Sequence, residues 1–212
     1  TDEIDLSRIS SNGGNISTIR LSDEIKKITS PDYDMWKAPN LCFEGTLEEW
    51  LSVQFEYLWP EPVAENIYVG GVLLAGDISI PESVTSIPDH AFHSSAITSV
   101  TLPQGLTSIG YMAFADCTAL ETIRFNAADC TATESFQNSG TGSTQILIGA
   151  EVLRLCDGLF YGVQASALTF AENSKCQSIG DNALSSLGIE TLTLPDGLLT
   201  LGNYAIRPCY TL

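Results

Sequence analysis

Positive charge is what this chain has least of. Its 212 residues include 9 Lys and Arg against 26 Asp and Glu, a formal net charge of −17. No basic residue occurs between Lys37 and Arg124. Nucleic acids and anionic bilayers are held by clustered Lys and Arg that displace counterions, so neither is an expected partner. Histidine is almost absent too: His90 and His93 are the only two. Nucleophile–base catalysis needs a His or Lys within reach of a Ser or Cys, and this pair offers little to build it from. No apolar run approaches the ~18 residues of a membrane span. The six cysteines (42, 117, 130, 156, 176 and 209) form no CxxC pair and no cluster with histidine, so no zinc site is expected. They are too few to build the fold from disulfides. An even count permits three bridges, but spacing pairs none of them, and they read as small, buried, free thiols. No catalytic residue, cofactor or metal is expected.

Apolar residues make up 44% of the chain and mean hydropathy is +0.12, so a core can form and the acidity does not signal disorder. A repeat shows how that core is built. Phe92, Phe114, Phe136, Phe160, Leu184 and Ile206 are separated by 22, 22, 24, 24 and 22 residues. Five positions before each sit Ile87, Ile109, Thr131, Leu155, Ile179 and Leu201; eight before sit Val84, Leu106, Ala128, Val152, Cys176 and Leu198. Ile97–Gly110 and Ile189–Gly202 match in apolar pattern, and Ile16, Ile19, Leu21, Ile25 and Ile28 reproduce the spacing near the N-terminus. Residues 120–145 are degenerate, and Asn138–Thr144 reads as a longer, mobile loop.

Alternation in Ile-x-x-Val-x-Leu predicts a short strand with Val and Leu inward. Proline ends the strand, and the Ala-Phe pair is expected on a short helical or 3₁₀ turn. A single unit of this length cannot bury its own apolar face, so neighbours must stack. The expected architecture is a right-handed solenoid of seven or eight coils of 22–24 residues, with a parallel β-helix as the nearest alternative.

The run from Ile97 to Cys117, Ile-x-x-Val-x-Leu-Pro-x-x-Leu-x-x-Ile-Gly-x-x-Ala-Phe-x-x-Cys, resembles the BspA-like leucine-rich-repeat family of bacterial surface proteins. The likeness covers residues 16–33 and 67–212. Phe43–Phe55 followed by Ile67–Leu73 is similar to an insertion found between repeats in surface proteins of anaerobic, host-associated bacteria. The chain is thus read as one solenoid, with an N-terminal repeat (1–33), a helix-bearing insertion (34–66) and a main array (67–212). The resemblance implies an extracellular or cell-surface location and adhesion to a host or matrix protein or glycan. The alternative is a structural spacer within a larger surface protein.

Thr46-Leu-Glu-Glu49 reads as a capping box opening a helix over about 47–54, with Trp50 and Leu51 inward. All three tryptophans (Trp36, Trp50, Trp59) fall in this segment, which reads either as an aromatic platform for a sugar or peptide or as a satellite core. His90 and His93 flank the inward Ala91-Phe92 pair. They are therefore expected to be solvated, although His-x-x-His spacing also suits a metal.

The outward strand positions form the candidate binding face: Thr18 and Arg20, Asp77 and Ser79, Ser99 and Thr101, Thr122 and Arg124, Gln145 and Leu147, Ala167 and Thr169, Thr191 and Thr193. These residues suit a parallel sheet by β-propensity alone, and equally a flat polar face with two arginine anchors. Exposed large aromatics, the usual interface hot spots, are expected to be missing from it. Glu82, Asp89, Asp116, Asp181 and Asp196 fall on turns, where they read as a solubility coat. Cys209–Leu212 repeats the opening of a unit, so the last coil is expected to lack a polar cap of its own.

Overall fold

A computed structural model describes residues 2–5, 16–30, 38–57 and 64–207. In chain order the elements are β1 (Glu3–Asp5), β2 (Thr18–Leu21), β3 (Lys27–Ser30), β4 (Ala38–Phe43), helix α1 (Leu47–Trp50), β5 (Gln54–Tyr57), β6 (Ala64–Val69), β7 (Val72–Leu73) and β8 (Ala75–Ser79). Two-residue and longer strands then alternate. They are β9 (Ser86–Ile87), β10 (Ala96–Leu102), β11 (Ser108–Ile109), β12 (Thr122–Phe125), β13 (Thr131–Ala132), β14 (Thr144–Ile148), β15 (Arg154–Leu155), β16 (Ala165–Phe170), β17 (Ser178–Ile179) and β18 (Thr200–Leu201).

Strands β8, β10, β12, β14 and β16 form one parallel sheet in coil order. Strands β2, β4 and β6 form another, closed by an antiparallel hairpin from β6 to β7 across Gly70-Gly71. The opposite side is built from β1-β3-β5, β9-β11-β13 and β15-β17-β18, all parallel. The chain is a β-solenoid of about eight turns. Within the stretch read as an insertion, β4 lies between β2 and β6 in the ladder, so its described residues are part of the stack. The capping box is present at Thr46 and Glu49, and the Thr46 amide holds the Glu49 carboxylate below its usual range. The helix is shorter than expected, however: it stops at Trp50, and Gln54 already opens β5, paired with Lys27.

Inside the coils the aromatic slot stacks in line. Phe92 and Phe114 lie 4.9 Å apart at 4°, and Phe114 and Phe136 lie 4.7 Å apart at 6°. That spacing is the distance between neighbouring strands, so the coil rise dictates the ring geometry. Phe136 and Phe160 are tilted at 5.7 Å. The degenerate coil keeps the aromatic but slips elsewhere. Ile109 pairs with Ala132 rather than Thr131, which is exposed. One residue fewer therefore separates this slot from Phe136 than separates Ile109 from Phe114.

The turns correct the expectation of helical or 3₁₀ segments. Two residues before each aromatic slot, His90, Met112, Glu134, Gly158, Asn182 and Tyr204 have φ between 46° and 63°. Two residues after it, Ser94, Asp116, Asn138, Gly162 and Ser186 are also left-handed. Such residues reverse the local direction of the peptide planes, which turns alternate N–H groups toward the next coil. His90, Phe92 and Ser94 accordingly donate to the carbonyls of Tyr111, Ala113 and Ala115 at 2.8–3.0 Å. Gly158 and Phe160 donate to Asp181 and Ala183 in the same way. The turn is therefore a hydrogen-bonded ladder like the strands. A helix would have spent those donors within its own coil.

Several acids turn out to have structural partners. Asp89 accepts the Tyr111 amide at 2.7 Å, Asp157 accepts the Asp181 amide at 2.8 Å, and Asp181 accepts the Asn203 amide at 2.6 Å. The residue before each donor is glycine, at 110, 180 and 202, pressed against the aspartate of the preceding coil. The Ser/Gly/Thr loop is likewise tied down. Thr144 Oγ1 donates to the Leu120 carbonyl at 2.6 Å, Gly140 N–H to Cys117 O at 3.1 Å and Gly142 N–H to Gln164 O at 2.9 Å. It is thus anchored to the coils on both sides, contrary to the mobile loop expected. At the far end Leu201 stays 52% exposed. Residues 208–212, on which the expectation of a missing cap partly rests, lie outside the described residues.

Replacing Phe114 by Ala should cost about 3–5 kcal/mol, because its ring is sandwiched between two others. Gly180→Ala should cost about 1–3 kcal/mol by overpacking, since a Cβ there would lie 2.7 Å from the Asp157 amide nitrogen. Denaturant unfolding of both variants against the parent checks these values.

Candidate binding face

The outward residues of the long sheet fall into two straight rows. One runs Asp77, Ser99, Thr122, Gln145, Ala167; the other runs Ser79, Thr101, Arg124, Leu147, Thr169. Alternation with the buried Val100, Ile123, Ile146 and Leu168 turns these side chains outward. Arg124 is exposed, and its guanidinium donates to Ser99 Oγ at 3.0 Å, reaching across to the other row on the neighbouring strand. Thr98 Oγ1 donates to Asp77 Oδ1 at 3.1 Å.

Thr18 and Arg20 lie on the other sheet. They begin rows that sequence reasoning left incomplete: Thr18, Asn40, Asn66 and Arg20, Cys42, Tyr68. Asn66 Nδ2 donates to Asn40 Oδ1 at 3.2 Å, and Asn40 Nδ2 donates to Ser17 O at 3.0 Å, so the first row is a hydrogen-bonded ladder. The second row places a half-buried tyrosine two strands from an exposed arginine, with Cys42 between them. A groove of about 520 Å³ lies here, lined by Thr18, Arg20, Asn40, Cys42 and Tyr68. Its one signal in the sequence was the approximate coil spacing from Thr18 to Asn40 and Asn66. Treating residues 34–66 as an insertion hid it.

Thr191 and Thr193 are exposed but not on a sheet, because the sixth strand expected over 189–194 does not form. The far side of this last coil still pairs with its predecessor, β18 with β17. Among the described residues the segment has β16 as its one neighbouring strand, and Leu194 remains 37% exposed, so there is less burial to hold it down. Between it and β16 runs a second groove of about 560 Å³, with Thr169 on one wall and Thr191 and Thr193 on the other.

The tryptophan platform does not exist at Trp50. That ring is fully buried, in contact with Phe43 and Phe55 at 5.6 and 5.0 Å, and its indole N–H donates to the Ala91 carbonyl at 3.0 Å. It anchors α1 to the first turn of the main array. Trp36 and Trp59 lie outside the described residues.

The histidines also depart from expectation. His90 and His93 are 7% and 2% exposed, because the left-handed residue at 90 folds both imidazoles against the next coil. Their Nδ1 atoms lie 3.3 Å apart, His93 Nε2 is 3.0 Å from Asp116 Oδ2, and the edge of Tyr111 packs against His90. One tautomer set satisfies both contacts: His90 Nδ1–H donates to His93, and His93 Nε2–H donates to Asp116. Among the described residues no group of three or more metal-ligating side chains converges. The neighbouring Cys117 thiol donates to the Phe92 carbonyl at 3.1 Å, and burial pushes it up to about 12, the reverse of nucleophile activation.

Burial, with a smaller contribution from His93, pushes His90 down to about 4. An unfolded chain would take up that proton near pH 6.5, so it binds more protons than the folded one between these values. Stability from this group is complete above about pH 6.5 and declines as pH falls toward 4, by roughly 2 kcal/mol after allowing for partial solvent screening. His90→Asn keeps the left-handed turn, as Asn182 does in its own coil. Its stability curve should be flatter than the parent's over that pH range in urea titrations.

The chain matches the model of the BspA type leucine-rich repeat region, in six copies, over residues 74–140 and 130–212. Among solved structures it is similar to a leucine-rich repeat protein from Eubacterium ventriosum ATCC 27560, at 11% identity and a TM-score of 0.43, covering 90% of this chain and 76% of that one. It is also similar to the pneumococcal vaccine antigen PcpA, at 13% identity and a TM-score of 0.33, covering 96% of this chain and 66% of that one. No curated protein matches it. No helix among the described residues is long and apolar enough to cross a membrane. With the repeat, the stacked aromatic slot and a match over more than half its length, the chain belongs to the BspA-type leucine-rich-repeat family.

Proposed function

We propose that this chain is a non-catalytic, adhesin-like interaction module, extracellular or on a bacterial cell surface. It presents the outward rows of its two parallel sheets to a host or matrix protein or glycan. The observation that carries the reading is the groove that Arg20 and Tyr68 both line, one strand to either side of Cys42 and next to the Asn40–Asn66 ladder. Tyrosine and arginine are the residue types that supply most of the energy in protein interfaces, especially where a concavity excludes water around them. Arg124 gives the long sheet a second anchor in a row otherwise lacking charge, between Thr101 and Leu147. The net charge of −17 favours partners that are not themselves strongly acidic.

The test is surface binding of the purified chain to immobilised matrix proteins, mucin and glycans at low and high salt. At least one of these probes should bind. For that probe Arg20→Ala and Tyr68→Ala should each lower affinity about tenfold or more, while Thr101→Ala changes it less than about threefold. Flat responses to every probe at both salt concentrations would overturn the proposal in favour of a structural spacer.

A further inference from the structure

Two of the cysteines face one another across neighbouring coils, outside the face just described. The segments at 128–130 and 153–156 are joined three times in succession. Leu153 N–H donates to the Ala128 carbonyl at 2.8 Å, Arg154 Nε is ion-paired with Asp129, and the Cys130 thiol is hydrogen-bonded to Cys156. Both sulfurs are free and buried, Cys130 at 2% exposure and Cys156 at 7%. Their surroundings are not equivalent. The Cys156 sulfur accepts from the Cys130 thiol, the Ala132 amide and its own amide, and lies within the field of the Arg154 guanidinium. Those contacts favour the Cys156 thiolate, the hydrogen bond from Cys130 most of all, whereas that bond and then burial hold Cys130 protonated. Cys117 and Cys176 also have hydrogen-bonding neighbours, but no second thiol donates to them, and burial outweighs those contacts and raises both.

We propose that Cys130 and Cys156 are a redox-active pair that closes to an inter-coil disulfide, with Cys156 as the attacking sulfur and Cys130 as the resolving one. With hydrogen peroxide as oxidant, the Cys156 thiolate attacks one peroxide oxygen and the O–O bond breaks. This leaves a sulfenic acid on Cys156 and releases hydroxide, which is protonated to water. Cys130 then loses its proton and attacks the Cys156 sulfur; the S–O bond breaks, the S–S bond forms, and hydroxide leaves as the second water. Two thiols are oxidised by two electrons and one peroxide is reduced to two waters. The exposed Asp129–Arg154 ion pair lies close to the pair in sequence on both coils. The bridge would tie the degenerate coil to its successor, where the repeat is least regular.

The experiment treats the folded chain with limiting hydrogen peroxide, blocks remaining thiols in denaturant, and maps the peptides by mass spectrometry. A loss of two hydrogens should appear in one linked pair of peptides, those carrying Cys130 and Cys156, while Cys117 and Cys176 are alkylated. Cys130→Ala should leave a sulfenic acid on Cys156 that a cyclic diketone traps. Cys156→Ala should leave Cys130 reduced under the same dose. Linkage of any other pair, trapping on Cys130 instead of Cys156, or full alkylation of both after treatment would overturn the proposal. Circular dichroism of each alanine variant separates loss of fold from loss of chemistry.

Discussion

One constraint governs the molecule: a coil of this length cannot satisfy its own backbone. Each coil must offer its N–H groups to the next, in the turns as well as in the strands. Everything else in the described residues is arranged around that stacking. Left-handed residues two places on either side of the aromatic slot aim the turn donors along the stack. The aromatic rings then come into line at the strand spacing, with no freedom to adopt an edge-on arrangement between Phe92, Phe114 and Phe136. Glycines at 110, 180 and 202 let an aspartate of one coil reach the amide of the next.

The same constraint separates structural from available polar groups. Much of the acidity that first reads as a solvated coat is committed to backbone amides, to His93, or to the ion pairs of Asp129 and Glu151. The outward rows of the sheets are where side chains are free of that task, because the strand backbone satisfies itself. This places the candidate binding residues on the sheets and leaves the turns as scaffold. It also accounts for the two grooves. One lies where the hairpin of β6 and β7 interrupts the regular ladder, the other where the last coil fails to join β16.

Reading the sequence alone placed the strand rows from Asp77 to Thr169 at the right residues, because alternation and coil length act within a short window. It failed where a residue's role depends on the coil above or below. Trp50 read as inward, but its partner, the Ala91 carbonyl 41 positions away, was not legible. His90 and His93 looked outward because they flank an inward pair, a rule that holds for helical turns and not for left-handed ones. Tyr68 and Asn40 were missed because a capped helix nearby suggested an insertion, when β4 and β6 continue the ladder on either side of it.

By itself, then, the sequence determined the repeat length and the inward and outward strand positions, since each depends on local periodicity, while the Ile97–Cys117 motif carried the resemblance to the family. Only the tertiary structure decided the conformation of the turns, the burial of the histidines, the partners of the acids and the pairing of Cys130 with Cys156. Each of these is a contact between residues more than twenty positions apart, or follows from one. Such contacts exist only once the coils are stacked, so no window of sequence the length of one coil contains them.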